Sequence, residues 1–303
     1  WLFAYGPGDN SSPTGYVRGY FEIAQHPTKM ANLLLAANLF RRGDVRSASQ
    51  EYSMALTPER ELDLLQNTGA WNLFSSSQLG VPSKLAFISR LSTSAGMNAP
   101  GLTNPPAAPP GNVLASDTGE LVWNVNSPGQ GRVTFDTART KTIIGFTDNQ
   151  STTLGPLTLR PSTTQLGWCT LGATLKRGEV FTNDCTAIVI AGGWWENTGQ
   201  VWTDTNKASL GNQWGRAPVL AEVVPFTITL PVATNYVQAW SLDERGQHKG
   251  SLSLTGNATS TTLTITTNAA SIWYELAVVR LMTSFDLWRL RYFNSTELAN
   301  AAV

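Results

Sequence analysis

The sequence predicts a mixed, mainly β fold: a two-sheet antiparallel β-sandwich preceded by a mostly helical segment. Three observations predict it. From Gly111 to Arg280, short runs alternate apolar and polar residues, with turn residues between them. Between Pro27 and Gly69, apolar residues recur at helical spacing behind helix-start signals. Residues 100–112 hold five of the chain's sixteen prolines (Pro100, Pro105, Pro106, Pro109, Pro110), and proline continues neither a helix nor a central strand. The expected domains are therefore a helical segment over 1–99, a Pro-rich linker over 100–112, a sandwich over 113–280 and a helical tail over 281–303.

Leu2 to Tyr5 is a short apolar run that reads as a strand, and Gly6 to Gly15 is a turn-rich loop. Tyr16 to Ile23 reads as extended. Pro27 and Thr28 start a helix in which Met30, Leu33, Leu34, Ala37 and Phe40 recur at helical spacing. Arg41 and Arg42 suit the negative end of its dipole, and Gly43 is a natural stop. Thr57-Pro58-Glu59 supplies an N-cap, a first-turn proline and an acid for a second helix, which carries Leu62, Leu64 and Leu65 and ends near Gly69. A third helical or loop segment surrounds Lys84 to Leu91. The β pattern then runs through 120–125, 132–137, 142–146, 187–191, 224–230, 236–240, 251–254, 261–265 and 273–279. Phe285 to Phe293 and Ser295 to Ala301 read as two short amphipathic helices.

Charged residues make up only 14% of the 303-residue chain, against about 25% usually, and the formal net charge is zero. No basic stripe is present to attract phosphates, which argues against nucleic acid as a partner. No run of about 18 apolar residues occurs, so no membrane span is expected. Low charge with abundant Thr, Ser, Asn, Gly and Trp suits an extracellular, sugar-handling β protein. The chain has no initiator Met or signal peptide and opens on Trp1, as if inside a strand. This predicts a piece of something longer. Cys169 and Cys185, the only cysteines, suit a disulfide in a secreted chain; two buried free thiols are the alternative. With two Cys and two His (His26, His248), no clustered metal site and no cofactor are expected. Asn-x-Ser/Thr sequons stand at Asn10, Asn149, Asn257 and Asn294.

The stretch from Gly192 to Trp214 carries the most chemistry. Trp194, Trp195, Trp202 and Trp214, four of eleven tryptophans, fall within it, interleaved with Gly, Asn, Gln and Thr, with Glu196 beside the first pair. Indole faces stack on the C–H faces of sugar rings, while amides and hydroxyls bond ring hydroxyls. The pattern therefore suits a glycan; the alternative is tryptophans buried in a β core. Glu120, Asp136, Glu196, Glu222 and Glu275 are the candidate carboxylates. In a sandwich such residues are expected as strand carboxylates or partners of arginines such as Arg132, Arg139 and Arg216. His26, before Pro27, reads as a helix-entry hydrogen-bonding residue rather than a catalyst.

The opening Trp1-Leu-Phe-Ala-Tyr, then Phe21-Glu-Ile-Ala-Gln-His-Pro-Thr-Lys-Met and Leu39-Phe-Arg-Arg-Gly-Asp-Val, resembles the last strand and helix of a (β/α)8 barrel. The barrels in question belong to large secreted bacterial cellulase-like glycoside hydrolases with a trailing β-sandwich. Ser116-Asp-Thr-Gly-Glu-Leu-Val-Trp, Arg132-Val-Thr-Phe-Asp-Thr-Ala-Arg-Thr, Glu196-Asn-Thr-Gly, Trp214-Gly-Arg-Ala-Pro-Val-Leu-Ala-Glu and Trp273-Tyr-Glu-Leu are similar to the sandwich of such enzymes. The resemblance covers nearly the whole chain.

It implies a secreted or cell-surface protein acting on a polysaccharide or oligosaccharide, with the sandwich as a bracing domain. The catalytic carboxylates of such barrels sit on strands four and seven, which have no counterpart here. The resemblance implies Trp1 as a sugar-stacking wall, with Tyr5 and Asp9 on the adjoining loop. Two alternatives remain open from the sequence. One is a non-catalytic carbohydrate-binding module using Trp194 to Trp214. The other is an extracellular subunit that assembles with copies of itself, as in a surface layer or filament.

Overall fold

The computed structural model describes residues 15–19, 23–68, 76–99, 106–107, 109–125, 130–269, 271–279, 288–289 and 291–293. The protein is mainly β, with antiparallel sheets forming a sandwich and one small parallel pair apart from them. The chain divides into two compact units, one made of residues 1–44 with 136–303 and the other of residues 45–135. Among the described residues no helix is long and apolar enough to cross a membrane.

Helix α1 spans Pro27–Phe40. The His26 side chain caps it, its Nδ1 accepting the Lys29 backbone N–H at 3.2 Å, and Pro27 opens the first turn, where its missing N–H costs nothing.

In the unit of residues 45–135, β1 (Glu51–Leu56) is followed by α2 (Pro58–Thr68), α3 (Leu85–Ile88) and β2 (Arg90–Ala95). The Thr57 hydroxyl accepts the Arg60 N–H at α2's start, as the Thr-Pro-Glu signal predicts. β1 and β2 pair in parallel, Glu51 opposite Arg90 and Leu56 opposite Ala95. This small sheet lies in a segment that reads as helical from sequence, because each strand is short and its partner is about forty residues away. Met54, Val81 and Leu85 form its buried cluster. β3 (Val113–Ala115), β4 (Leu121–Asn124) and β5 (Arg132–Asp136) form an antiparallel meander.

The other unit holds the sandwich. Its strands are β6 (Thr140–Phe146), β7 (Thr152–Leu154), β8 (Leu157–Pro161), β9 (Trp168–Arg177), β10 (Cys185–Gly192), β11 (Trp195–Thr198), β12 (Arg216–Ala221), β13 (Phe226–Leu230), β14 (Val237–Leu242), β15 (His248–Ser251), β16 (Leu254–Gly256), β17 (Thr261–Ile265) and β18 (Trp273–Val278). One sheet of this unit runs β15-β14-β18-β10-β9-β6, and the facing sheet runs β16-β17-β13-β8-β7. Alternate residues of both meet in one core: Leu171, Leu175, Val189 and Tyr274 from the first sheet face Leu159, Phe226, Ile228 and Leu263 from the second. Period-two side-chain alternation puts these residues inward and leaves Thr227, Thr229, Thr262 and Thr264 on the other face of the second sheet.

The outer face of the first sheet is covered by α1. Ala31 and Leu35 pack on Ile188, Ile190 and Leu242. Strands β9 and β10 are thus buried on both sides, which is why Ala187 to Ala191 reads as an unbroken apolar run. The helix face toward the sheet is Thr28, Ala31 and Leu35, whereas Met30 and Phe40, which the sequence places on its packing face, are exposed. Small residues decide this. A Cβ on Gly192 would stand 2.6 Å from Thr28 Cγ2, and one on Gly172 would stand 3.0 Å from Leu35 Cδ1. The two glycines let the helix lie close to the sheet.

The expected Cys169–Cys185 disulfide is not formed; both cysteines are free and buried. The β9–β10 register explains it, because Gly192 pairs with Thr170 and Thr186 with Arg177. Cys169 therefore lies at one end of the hairpin and Cys185 at the other, several strand residues beyond the reach of an S–S bond.

Candidate functional site

Between β10 and β13 the chain leaves the sandwich as an arm, out along β11 and back along β12. Glu222 fixes its root. The carboxylate accepts the backbone N–H groups of Trp194 at 2.8 Å and Gln165 at 2.7 Å, and the Glu222 N–H donates to the Trp194 carbonyl. The strands pair antiparallel, Trp195 opposite Ala221 and Asn197 opposite Val219.

Strand alternation sorts the aromatic cluster into two faces. Trp195 and Asn197 point inward. Asn197 is buried; its amide accepts from Val17 N–H at 3.0 Å and donates to the carbonyls of Val17 and Trp214, both at 2.7 Å. The Trp195 ring lies against the His26 imidazole, 4.2 Å between centroids. Trp195, half-buried like Trp194, spends part of its ring on this contact with His26 rather than standing beside Trp194 and Trp202. Trp214 is half-buried and tied to the arm through its carbonyl.

Trp194 and Glu196 share the other face. The Trp194 indole N–H donates to Glu196 Oε2 at 3.3 Å. Trp202 joins them from the loop, 6.0 Å from Trp194 between ring centroids and tilted by 42°. Both indoles are half-buried, so each presents part of its surface. The Lys207 ammonium sits 4.3 Å from the centroid of the Trp194 ring. Lys207 is the residue that the sequence reading missed. Its signal is a lone cation in the turn-forming run Thr203-Asp-Thr-Asn-Lys, with the Lys207 N–H donating to the Asp204 carbonyl. The structure thus brings together Trp194, Glu196 and Trp202 and adds Lys207. Trp1, Tyr5 and Asp9 lie outside the described residues.

The other candidate carboxylates are engaged. Glu120 accepts the Arg46 guanidinium and backbone N–H, both at 2.8 Å. Asp136 pairs with Lys141 and accepts the Gly155 N–H at 3.0 Å. Glu275, expected as a strand carboxylate or an arginine's partner, is a buried carboxylate on β18. It meets His248 Nε2 at 2.9 Å and Lys176 Nζ at 3.7 Å, and the His248 ring stacks on Trp240 with centroids 4.4 Å apart. His26, capping α1, is the entry residue its position predicts. Burial, reinforced by the Lys29 charge, pulls its pKa from 6.5 down to about 3, so it is neutral and accepts at Nδ1. Among the described residues no group of three or more His, Cys, Asp or Glu side chains is placed to hold a metal ion.

A cleft of about 620 Å³ opens beside the first turn of α1. Met30, Ala31, Leu242, Ile272 and Trp273 give it an apolar floor, and Asp243, Glu244 and Lys249 stand at its polar side. The Trp273 indole N–H is satisfied by the Asp243 carbonyl at 2.8 Å. Comparison with protein-family models, curated proteins and solved structures finds no match to this chain.

Proposed function

We propose that this chain is the glycan-holding β-sandwich part of a secreted, polysaccharide-acting glycoside hydrolase, and that it binds sugar rather than cleaving it. The observation that carries the reading is the half-exposed Trp194–Trp202 pair beside the β11–β12 ribbon, with a carboxylate at the edge of one indole and an ammonium over its face. Aromatic surface beside a few polar groups is the chemistry that grips a pyranose ring. The engagement of Glu120, Asp136, Glu222 and Glu275 by cations and backbone amides supports holding over cutting, because a hydrolytic pair needs two carboxyl groups facing a common opening. The resemblance of the opening segment to the last βα unit of a (β/α)8 barrel belongs to the same proposal, in which the sandwich braces such a barrel.

Affinity electrophoresis through gels containing xylan, β-glucan, mannan or polygalacturonate tests the reading. At least one polymer is expected to retard the wild type, and Trp202→Ala is expected to migrate freely in it. Equal mobility of the two proteins in every polymer would overturn the proposal.

A further inference from the structure

We infer that the Trp194–Trp202 site selects an anionic sugar, one bearing a carboxylate or sulfate, and that Lys207 is its specificity-determining residue. This rests on the glycan-binding reading above. Three observations at Lys207 carry it. First, its ammonium sits over an aromatic face, 4.3 Å from the Trp194 centroid, and makes no ion pair among the described residues. A cation resting on an indole keeps its full charge for an incoming anion.

Second, Lys207 has φ +55°, in the left-handed region that side-chain-bearing residues avoid. Local bonds enforce it. Asp204 accepts the Lys207 N–H at its carbonyl and the Ala208 N–H at Oδ1, while Thr203 and Ser209 close the loop, the Thr203 N–H and hydroxyl both donating to the Ser209 carbonyl. A strained backbone that aims one cation at one indole is a position built for that side chain.

Third, the nearby acids bond groups other than Lys207 and leave its ammonium unpaired among the described residues. Glu222 holds two backbone amides, Asp204 caps its own turn, and Glu196 accepts the Trp194 indole N–H. With the Trp194 face taken by the ammonium, the neighbouring Trp202 ring is the stacking surface. A pyranose on Trp202 would bring a ring substituent toward Lys207, where a carboxylate or sulfate gains a charge-assisted bond that a hydroxymethyl group cannot make.

The test measures binding of polygalacturonate, its carboxyl-reduced counterpart, a sulfated galactan and its desulfated counterpart by isothermal titration calorimetry. The wild type is expected to bind one anionic polymer about tenfold more tightly than its neutral counterpart, with the preference shrinking as salt rises. Which anionic polymer shows it separates uronate from sulfate. Lys207→Gln should abolish the preference while keeping the neutral affinity, and Lys207→Arg should retain it. Equal affinity for charged and neutral polymers in the wild type, or an unchanged preference in Lys207→Gln, overturns the anionic-sugar inference and leaves glycan binding standing. No binding to any of these four polymers overturns the anionic-sugar inference, and the glycan-binding reading falls with it only if xylan, β-glucan and mannan gels also fail to retard the wild type.

Discussion

The imidazole of His26 lies 4.2 Å from the indole of Trp195, ring centre to ring centre, tilted by 47°. One residue caps α1 and the other begins the outgoing strand of the arm, so this contact joins the entry of the helix to the base of the candidate site. The same imidazole that accepts the Lys29 N–H is kept neutral by its burial beneath that indole.

This arrangement predicts an acid-sensitive fold. In the folded protein His26 takes up a proton only near pH 3, while the unfolded chain takes it up near 6.5. Stability from this residue is complete above about pH 6.5 and is lost as pH falls toward 3, by about 1.4 kcal/mol for each pH unit. Urea unfolding at about pH 7.5 and about pH 5 should show this loss. His26→Asn keeps a capping acceptor and removes the titration, so its loss should be smaller. Identical losses in the two proteins would exclude His26 as the cause.

Trp195 and Trp202 should separate structure from binding. Trp195→Ala removes the ring packed on His26 and is expected to cost about 2–4 kcal/mol of unfolding free energy. Its glycan retention, measured below the unfolding transition, should be preserved. Trp202→Ala is expected to lose retention. Its indole N–H is buried without a hydrogen-bond partner, so removing it gives back part of the packing cost and the net change should stay below about 2 kcal/mol. Retention lost in Trp195→Ala and kept in Trp202→Ala would reverse the assignment of the two faces.

Much of the sandwich is legible in the sequence because its strands alternate, as in Phe226 to Leu230 and Thr261 to Ile265, and because helix starts carry capping chemistry, as at His26-Pro27 and Thr57-Pro58. What is not legible depends on distant partners. The β1–β2 pairing joins Glu51 to Arg90, and nothing local announces it. The packing face of α1 follows from Gly172 and Gly192, far away in sequence, which admit Leu35 and Thr28 rather than Met30 and Phe40. At the site, composition finds the tryptophans but not their sorting. That depends on the Glu222 bonds that hold Trp194 just before β11, on the strand register from Trp195 onward and on a turn that sets Lys207 over one indole.

The glycines under α1 make a double-mutant test. Gly192→Ala places a methyl 2.6 Å from Thr28 Cγ2 and 3.0 Å from Asn32 Nδ2, forcing the helix away from the sheet. The expected cost is about 1–3 kcal/mol. Thr28→Ser removes the clashing methyl, so the double mutant should be clearly more stable than the sum of the two single losses predicts. Strict additivity by thermal unfolding would mean that the helix does not sit on Gly192.

The cysteines give a chemical check on the sandwich register. If β9 and β10 pair as described, Cys169 and Cys185 stand at opposite ends of one hairpin and remain thiols. Burial is the main cause that pushes both thiols up to about 11, leaving almost no thiolate at neutral pH. The native protein should therefore resist iodoacetamide. Unfolded in urea without reductant, it should take up two labels by mass, and reductant should leave its melting temperature unchanged. A disulfide would instead block labelling until reductant is added and would raise the melting temperature of the oxidised form. That outcome would require Cys169 and Cys185 to be neighbours. It would shift the β9–β10 pairing, and with it the core contacts of Leu171, Leu175 and Val189 on which the sandwich closes.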